Sequence, residues 1–388
     1  MKTDTPGPVE PRAGTEALGK LREQIMEVDR EFVRLLARRQ RLALRVAENK
    51  MGSGVPLRNY SVEKRVIERF SGLCEGFGLR AQWGVGLARF LIEKSVELQS
   101  QELDKRRLAG ALDILVIGGF GKMGSWFCNF LNNQGHRVVV HDKCSAEASP
   151  FDSLSGLDEN VRDFDFIILS VPLQRSPDVL EELLQMRPRG VLFDLCSLKR
   201  DLLPVIRRGI RAGLRLTSIH PLFGPDVTTL HGRKIIICPC GDEEADRDVR
   251  ALFSETAATI VSLPPEDHDR LMTLTLGLSH ALNFVFADAL VNSGESFETL
   301  VGVGSSTFNC QISTTLKLVR ENMDLYFEIQ RLCDQGVIFR LLEEAVEKLG
   351  TLIAENRRGE FLDSMSTACD FFHARPREPG TADARDAS

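Results

Sequence analysis

Apolar residues at Leu18, Leu21, Ile25, Val28, Phe32, Leu35, Leu36, Leu42 and Val46 recur every three or four positions, with no proline and no glycine after Gly19. The spacing predicts one uninterrupted amphipathic helix from Thr15 to about Lys50, ~50 Å long at 1.5 Å per residue. The helices expected next, about 62–73 and 84–103, are too short to cover that apolar stripe. A second copy of the chain is the simplest partner for it. Residues 102–112 are charged and then small, which reads as a linker. Beyond it the period changes: short apolar runs at 114–117, 138–140, 166–171, 191–195, 216–219 and 235–238 alternate with helical segments. That alternation predicts a mostly parallel, doubly wound sheet. After Pro264-Pro265 the pattern is helical from Asp267 to about Phe372, with a polar break at Asn292-Ser293-Gly294.

The pattern divides the chain into a tail (1–14), an all-α domain (15–103), a linker (104–112), an α/β domain (113–265), a second all-α domain (266–375) and a small, charged tail (376–388) for which disorder is expected. A length of 388 residues and 43% hydrophobic content suit two or three well-formed cores. The net charge of −6 gives no reason to expect nucleic acid or a membrane surface as partner. Nine cysteines, an odd number without paired spacing, point to reduced thiols and a cytoplasmic setting. Cys238-Pro239-Cys240 follows the run Ile235-Ile236-Ile237 and reads as a strand end, not a metal site. Residues 1–14 are polar and proline-rich, and no run approaches the ~20 apolar residues of a bilayer span. Neither export nor membrane anchoring is expected.

Within the α/β part, the strand pattern at Asp113-Ile114-Leu115-Val116-Ile117 runs into Gly118-Gly119-Phe120-Gly121-Lys122-Met123-Gly124, a GxGxxG turn. Gly119 allows the tight bend, Gly121 lets the backbone approach a pyrophosphate, and Gly124 permits close packing of helix on strand, with the helix N-terminus facing the anion. A strand from Arg137 to His141 ends at Asp142, about 20 residues on, where an acid grips a ribose 2′-hydroxyl. Residues Gly119, Phe120, Gly121, Lys122, Met123 and Gly124 are therefore the expected dinucleotide cradle. Asp142 favours NAD over NADP by repelling a 2′-phosphate, while Lys143 beside it works the other way. Ser170-Val171-Pro172, another strand end, belongs to the same edge.

After the strand at 216–219 comes His220-Pro221-Leu222-Phe223-Gly224-Pro225-Asp226, a loop stiffened by two prolines at the sheet edge where ligands lie in this fold. A histidine there can accept a proton as hydride leaves the same carbon. Ser197, in Asp194-Leu195-Cys196-Ser197-Leu198-Lys199, ends a neighbouring strand and can hydrogen-bond substrate near it. Together the glycine turn, the SVP strand end, the DLxSxK turn, the HPxFGPD loop and Glu266-Asp267-His268-Asp269 resemble the prephenate dehydrogenase family across most of 113–372. The resemblance implies NAD-dependent oxidative decarboxylation of prephenate to 4-hydroxyphenylpyruvate and a helical domain that supplies a dimer interface. By it, His220 binds the ring hydroxyl and takes its proton, Ser197 assists, and His268 and His280 lie near the substrate. The family often carries an arginine shortly before a Leu-Tyr pair to hold a substrate carboxylate. Before Leu325-Tyr326 this chain has Lys317, with Arg320 three residues on, and either can supply the charge.

The first hundred residues resemble the all-helical chorismate mutase family, which also occurs fused ahead of prephenate dehydrogenase. Matching positions are Arg22, Arg39, Lys50, Glu63, Ser95 and Gln99. Arg39 and Lys50 are three helical turns apart on nearly one face, whereas Arg22 is rotated by roughly a quarter turn at 100° per residue, which suits it to a partner's site. The rearrangement is unimolecular, so the protein need only hold a dicarboxylate in compact form and stabilise charge on the ether oxygen. The resemblance gives Arg22 and Arg39 the carboxylates, Lys50 and Gln99 the ether oxygen, and Glu63 the substrate hydroxyl, with Ser95 among the binding residues. Many members carry an arginine directly before the glutamate; here that position is Val62. The reading is thus a homodimeric enzyme that takes chorismate and prephenate, with tyrosine a candidate inhibitor acting through the catalytic units. Three alternatives stay open. One is a prephenate or arogenate dehydrogenase whose N-terminal helices only sense a ligand or dimerise. The others are a 3-hydroxyacid reductase and an imine-type reductase.

Overall fold

The computed structural model describes residues 13–53, 60–100, 111–144, 149–254, 256, 258–320 and 322–373; the side chains of 13–17, 44, 47–53, 60, 96–100 and 159 are outside that description. Nearly all of both expected tails and most of the expected linker lie outside it. The chain forms two compact units, one ending at Pro265 and one starting at Glu266.

The first unit opens with three helices, α1 (Ala13–Ser53), α2 (Tyr60–Gly76) and α3 (Ala81–Ser100). Ile67, Ala88 and Ile92 form a small core between α2 and α3, walled by Val66, Phe70 and Val85. Gly84 makes the crossing close, since a Cβ there would stand 2.2 Å from the Phe70 carbonyl oxygen. Helix α1 touches α3, but its apolar stripe stays open: Leu21, Ile25, Val28 and Phe32 are 51–68% exposed.

Eight strands follow, β1 (Asp113–Ile117), β2 (Arg137–His141), β3 (Asp152–Ser153), β4 (Phe166–Leu169), β5 (Val191–Asp194), β6 (Leu216–Pro221), β7 (Lys234–Cys238) and β8 (Thr259–Ser262). They form one sheet in the order β3-β2-β1-β4-β5-β6-β7-β8, with α4 (Lys122–Asn133), α5 (Ser176–Gln185), α6 (Leu203–Arg211) and α7 (Glu243–Ala251) between them. Strands β4, β5 and β6 are buried along their whole length, as expected of parallel strands covered on both faces. The apolar runs marked six of the eight strands; the two-residue β3 and the half-buried β8 carry too little apolar pattern to be read. One pairing departs from the parallel expectation: β6 and β7 are antiparallel, because residues 222–233 form no helix to carry the chain back across the sheet. For the same reason His220 is not in a loop. It lies within β6, opposite Ile236 of β7.

The second unit holds α8 (Pro265–Met272), a π-helical turn (Thr273–Leu278), α9 (Ser279–Val291), α10 (Phe297–Gly302), α11 (Ser306–Arg320), α12 (Met323–Leu332), α13 (Gln335–Ala354) and α14 (Arg358–His373). The polar break reappears at Asn292, which ends α9, and at Gly294 with φ 84°. Further breaks are marked by side-chain caps, Asn322 accepting from Leu325 N and Asp334 from Val337 N. Pro265–Val291 is continuous, and an 18-residue window within it has a mean hydropathy of 1.5, long and apolar enough by length and composition alone to cross a bilayer. Arg270, His280, Asn283 and Asp288 interrupt the segment, so it is not an unbroken apolar run. The helix packs on α11, α12 and α13.

Candidate active sites

The glycine turn sits at the carboxyl end of β1. Gly118 has φ +80°, and a Cβ on it would meet the Ser170 carbonyl oxygen at 2.3 Å. The left-handed residue of the bend is therefore Gly118, not Gly119; Gly119 instead lacks room, with Val140 side-chain carbons 2.7 Å from its Cβ position. Gly124 is equally constrained, since its Cβ would stand 2.1 Å from the Gly118 oxygen. Gly121 is the N-cap of α4 and no side chain caps that end, so the first N–H groups of Lys122, Met123 and Gly124 remain for an anion. Asp142 accepts from Phe120 N at 3.0 Å through one oxygen and from Cys144 N at 3.0 Å through the other. It braces the turn while keeping lone pairs for a ribose hydroxyl. Ser170, Val171 and Pro172 follow β4 beside Gly118, with Ser170 N donating to Ile117 O at 2.8 Å.

His220, 5% exposed, and Ser197, in the turn after β5, occupy the carboxyl ends of adjacent strands, which pair with Asp194 opposite Ser218. Between them runs a residue that the sequence did not single out. Lys199 is 1% exposed and its Nζ donates to Asp194 Oδ1 (2.9 Å), Cys196 O (2.7 Å) and Ile219 O (2.7 Å). It ties the Ser197 turn to the residue before His220. Desolvation is the largest single influence on its ammonium and pulls the pKa down, yet Asp194, Cys238 and Cys196 together outweigh it and the net shift is upward. Burial pushes the Cys196 thiol up to about 12, so it is a neutral packing group. A lysine in a turn reads as solvated, and only the adjoining Asp194 hints otherwise.

In the helical part, α1 and α3 bring two expected residues together: Arg39 Nη1 donates to Ser95 Oγ at 3.0 Å and to Leu91 O at 3.3 Å. Gln40 Oε1 lies 3.0 Å from the same hydroxyl. Burial and then the nearby Arg69 lower the Arg39 pKa. Two guanidiniums held close suit an anion between or beside them. Glu63 is 9% exposed and Val62, next to it, 40%. Arg22 is exposed on the free flank of α1; the side chains of Lys50 and Gln99 are outside the described residues.

In the second unit His268 is fully buried, with Nδ1 2.7 Å from Asp269 Oδ1. The π turn then intervenes, and π-helical turns inside α-helices are frequent at functional sites. Gln330 Nε2 donates to Gly277 O within it at 2.9 Å, and a Cβ on Gly277 would meet Ile338 Cδ1 at 2.5 Å. His280 stands edge-on to Tyr326, ring centroids 4.7 Å apart. One turn further, Asn283 Oδ1 accepts from Thr315 Oγ1 (2.8 Å) and Gln311 Nε2 (3.0 Å). Thr315 thus faces α9, and Lys317 and Arg320 lie roughly 200° and 140° round α11 from it at 100° per residue. Both are exposed and neither stands on the face toward His280.

A glycine turn against an uncapped helix N-terminus, with an acid at the end of the next strand, defines a dinucleotide-dependent enzyme, here preceded by a helical domain with its own half-buried arginine, Arg39. Residues 21–100 match the family described as chorismate mutase type II, and residues 137–262 the prephenate dehydrogenase nucleotide-binding domain. A chorismate mutase of Methanocaldococcus jannaschii is 33% identical over 90 residues, 23% of this chain and 91% of that protein. The T-protein of Haemophilus influenzae is 23% identical over 361 residues, 92% of this chain and 93% of its own length. Among solved structures, prephenate dehydrogenase from A. aeolicus, in complex with hydroxyphenyl propionate and NAD+, superposes with a TM-score of 0.53 at 18% identity, covering 68% of this chain and 97% of that one. The chain belongs, through its first hundred residues, to the chorismate mutase family, and as a whole to the bifunctional chorismate mutase/prephenate dehydrogenases.

Proposed function

We propose that the chain rearranges chorismate to prephenate and then oxidises prephenate to 4-hydroxyphenylpyruvate with loss of carbon dioxide, on the way to tyrosine. The observation that carries the reading is that both family matches fall on one chain in the order of a relative similar along 92% of it. The turn fits NAD: Gly118 and Gly124 leave no room for a side chain, and α4 offers free N–H groups. When bound, NAD accepts the hydride. His220 takes the proton of the ring hydroxyl as that hydride leaves, Ser197 supports the same oxygen, and ring aromatisation drives out the carboxylate. His268 and His280 are proposed substrate-binding residues. Lys317 and Arg320 are less favoured for the substrate carboxylate of their own chain, because both stand on the solvent face of α11.

In the mutase, Arg39 and Ser95 form the anion site, with Lys50, Gln99 and Glu63 as the resemblance implies. Arg22 serves a partner chain, whose α1 covers the open stripe of Ile25, Val28 and Phe32. The domain limits of the sequence analysis are kept as part of this proposal, as is a cytoplasmic homodimer, which nine free thiols suit. Tyrosine shares the hydroxyphenyl ring and carboxylate of the product and is proposed to compete with prephenate. Val62, in the position where an arginine is common, favours a second reading in which the helices bind chorismate without turnover. NADH formation from chorismate with NAD, beside prephenate with NAD, separates these. NADH from both supports the two linked activities, NADH from prephenate alone supports the second reading, and neither would overturn both.

A further inference from the structure

Residues 222–233, which connect β6 to β7, begin two positions after His220, and two other elements hold them. On one side, Trp126 of α4 donates from Nε1 to Val227 O at 2.6 Å and lies against Phe223, ring centroids 5.0 Å apart. On the other, Arg89 of α3 donates from Nη2 to the His231 carbonyl oxygen at 3.0 Å. Gly232 turns beneath that guanidinium with φ +68°, and a Cβ on it would stand 3.4 Å from Nη2. Burial, then Arg89, with Lys64 also contributing and Glu68 opposing, holds the His231 imidazole below its ordinary pKa. It is therefore neutral at neutral pH and does not repel Arg89.

Packing of α2 on α3 does not call for this arginine. That core is Ile67, Ala88 and Ile92, and Arg89 Nε is buried without a hydrogen-bond acceptor among the described residues, a cost that packing alone does not explain. Residues that break a local rule are expected where function asks for it. Six positions along the same helix is Ser95, which holds Arg39.

We propose that Arg89 is a positioning residue for the dehydrogenase: through the His231 carbonyl, helix α3 of the mutase sets the loop that leaves His220 and so sets the affinity for prephenate. This rests on the proposed dehydrogenase activity. One helix then carries the anion site of one reaction and a tether to the catalytic strand of the other.

The test compares full-length wild type, Arg89→Ala, Arg89→Lys, Gly232→Ala and the double variant Arg89→Ala/Gly232→Ala. NADH formation is followed with prephenate and NAD, and chorismate loss without NAD. We expect Arg89→Ala to raise the prephenate KM about fivefold or more, with kcat, the NAD KM and the mutase kcat/KM unchanged, and Arg89→Lys to restore part of the loss. Gly232→Ala, which strains the same turn, raises the KM alone but adds nothing to Arg89→Ala, since both act on one tether. An unchanged KM in Arg89→Ala, additive effects, or a parallel fall of both activities with a lower Tm overturns the proposal. A wild type that makes no NADH from prephenate overturns the dehydrogenase reading instead.

Discussion

The base role proposed for His220 requires that the strand carrying it be fixed relative to Ser197, and Lys199 supplies that fixation by bonding to Ile219 O on β6 and to Asp194 and Cys196 O around the β5 turn. A buried ion pair of this kind is poor as a source of stability, because desolvation offsets most of the attraction; its value here is geometric. The raised Lys199 pKa means that its contribution is complete below the ordinary value of 10.5 and fades only as pH rises above it through the folded pKa. The spacing of the β5 turn and β6 is therefore constant across neutral pH. His220→Asn keeps the size and a polar tip on β6 but removes the base. Dehydrogenase kcat is expected to fall by about 10²- to 10⁴-fold, with NAD affinity and chorismate turnover retained. Steady-state rates with prephenate, beside equilibrium NAD binding, check this, and near-normal turnover would remove His220 from its role.

At the scale of elements, the entry to β1 carries a pH-dependent joint. Leu112 N donates to His136 Nδ1 at 3.3 Å, which requires a neutral imidazole, and burial lowers the His136 pKa although Asp165 opposes it. The unfolded chain takes up this proton near 6.5, the folded chain only at lower pH. Stability is thus lost as pH falls through 6.5 and the loss levels off below the folded pKa. His136→Asn should flatten that part of the pH dependence of urea unfolding; identical slopes in both proteins would rule the joint out. The elements differ in how far the pattern reveals them. Glycine spacing at 118–124 marks its own turn, because only glycine fits where Ser170 O and Gly118 O crowd the backbone. The direction of β7 is not written in Ile235-Ile236-Ile237, which reads alike either way; the helix-free connection before it decides. The π turn at Thr273–Leu278 is equally silent, being held by Gln330 more than 50 residues away. Arg39 with Ser95 came from family resemblance, whereas Lys199 and Arg89 look like ordinary surface cations until their carbonyl partners are seen.

For the whole molecule the unresolved demand is α1. A helix with Ile25, Val28, Phe32, Leu42 and Val46 each at least half exposed leaves far more apolar surface in water than scattered residues do, and its length rules out cover by α2 and α3. A two-fold pairing of α1 with its copy would satisfy it, because an isologous contact presents the same stripe from both sides. The same pairing explains Arg22. It lies 17 residues before Arg39, roughly 25 Å along the helix, too far to share one small anion within its own chain. If Arg22 of one chain completes the site built on Arg39 of the other, Arg22→Ala and Arg39→Ala chains are each inactive as mutases but complement each other when refolded together. Every mixed dimer then holds one intact site and one doubly defective site. With random mixing half of the dimers are mixed, so roughly a quarter of wild-type mutase activity should return, while NADH formation from prephenate stays unchanged throughout. Recovery requires both pairing and exchange of Arg22. A mixture as silent as its parents, with dimers demonstrated by sedimentation, would place Arg22 outside the site, whereas monomers throughout would refute the pairing of α1 itself.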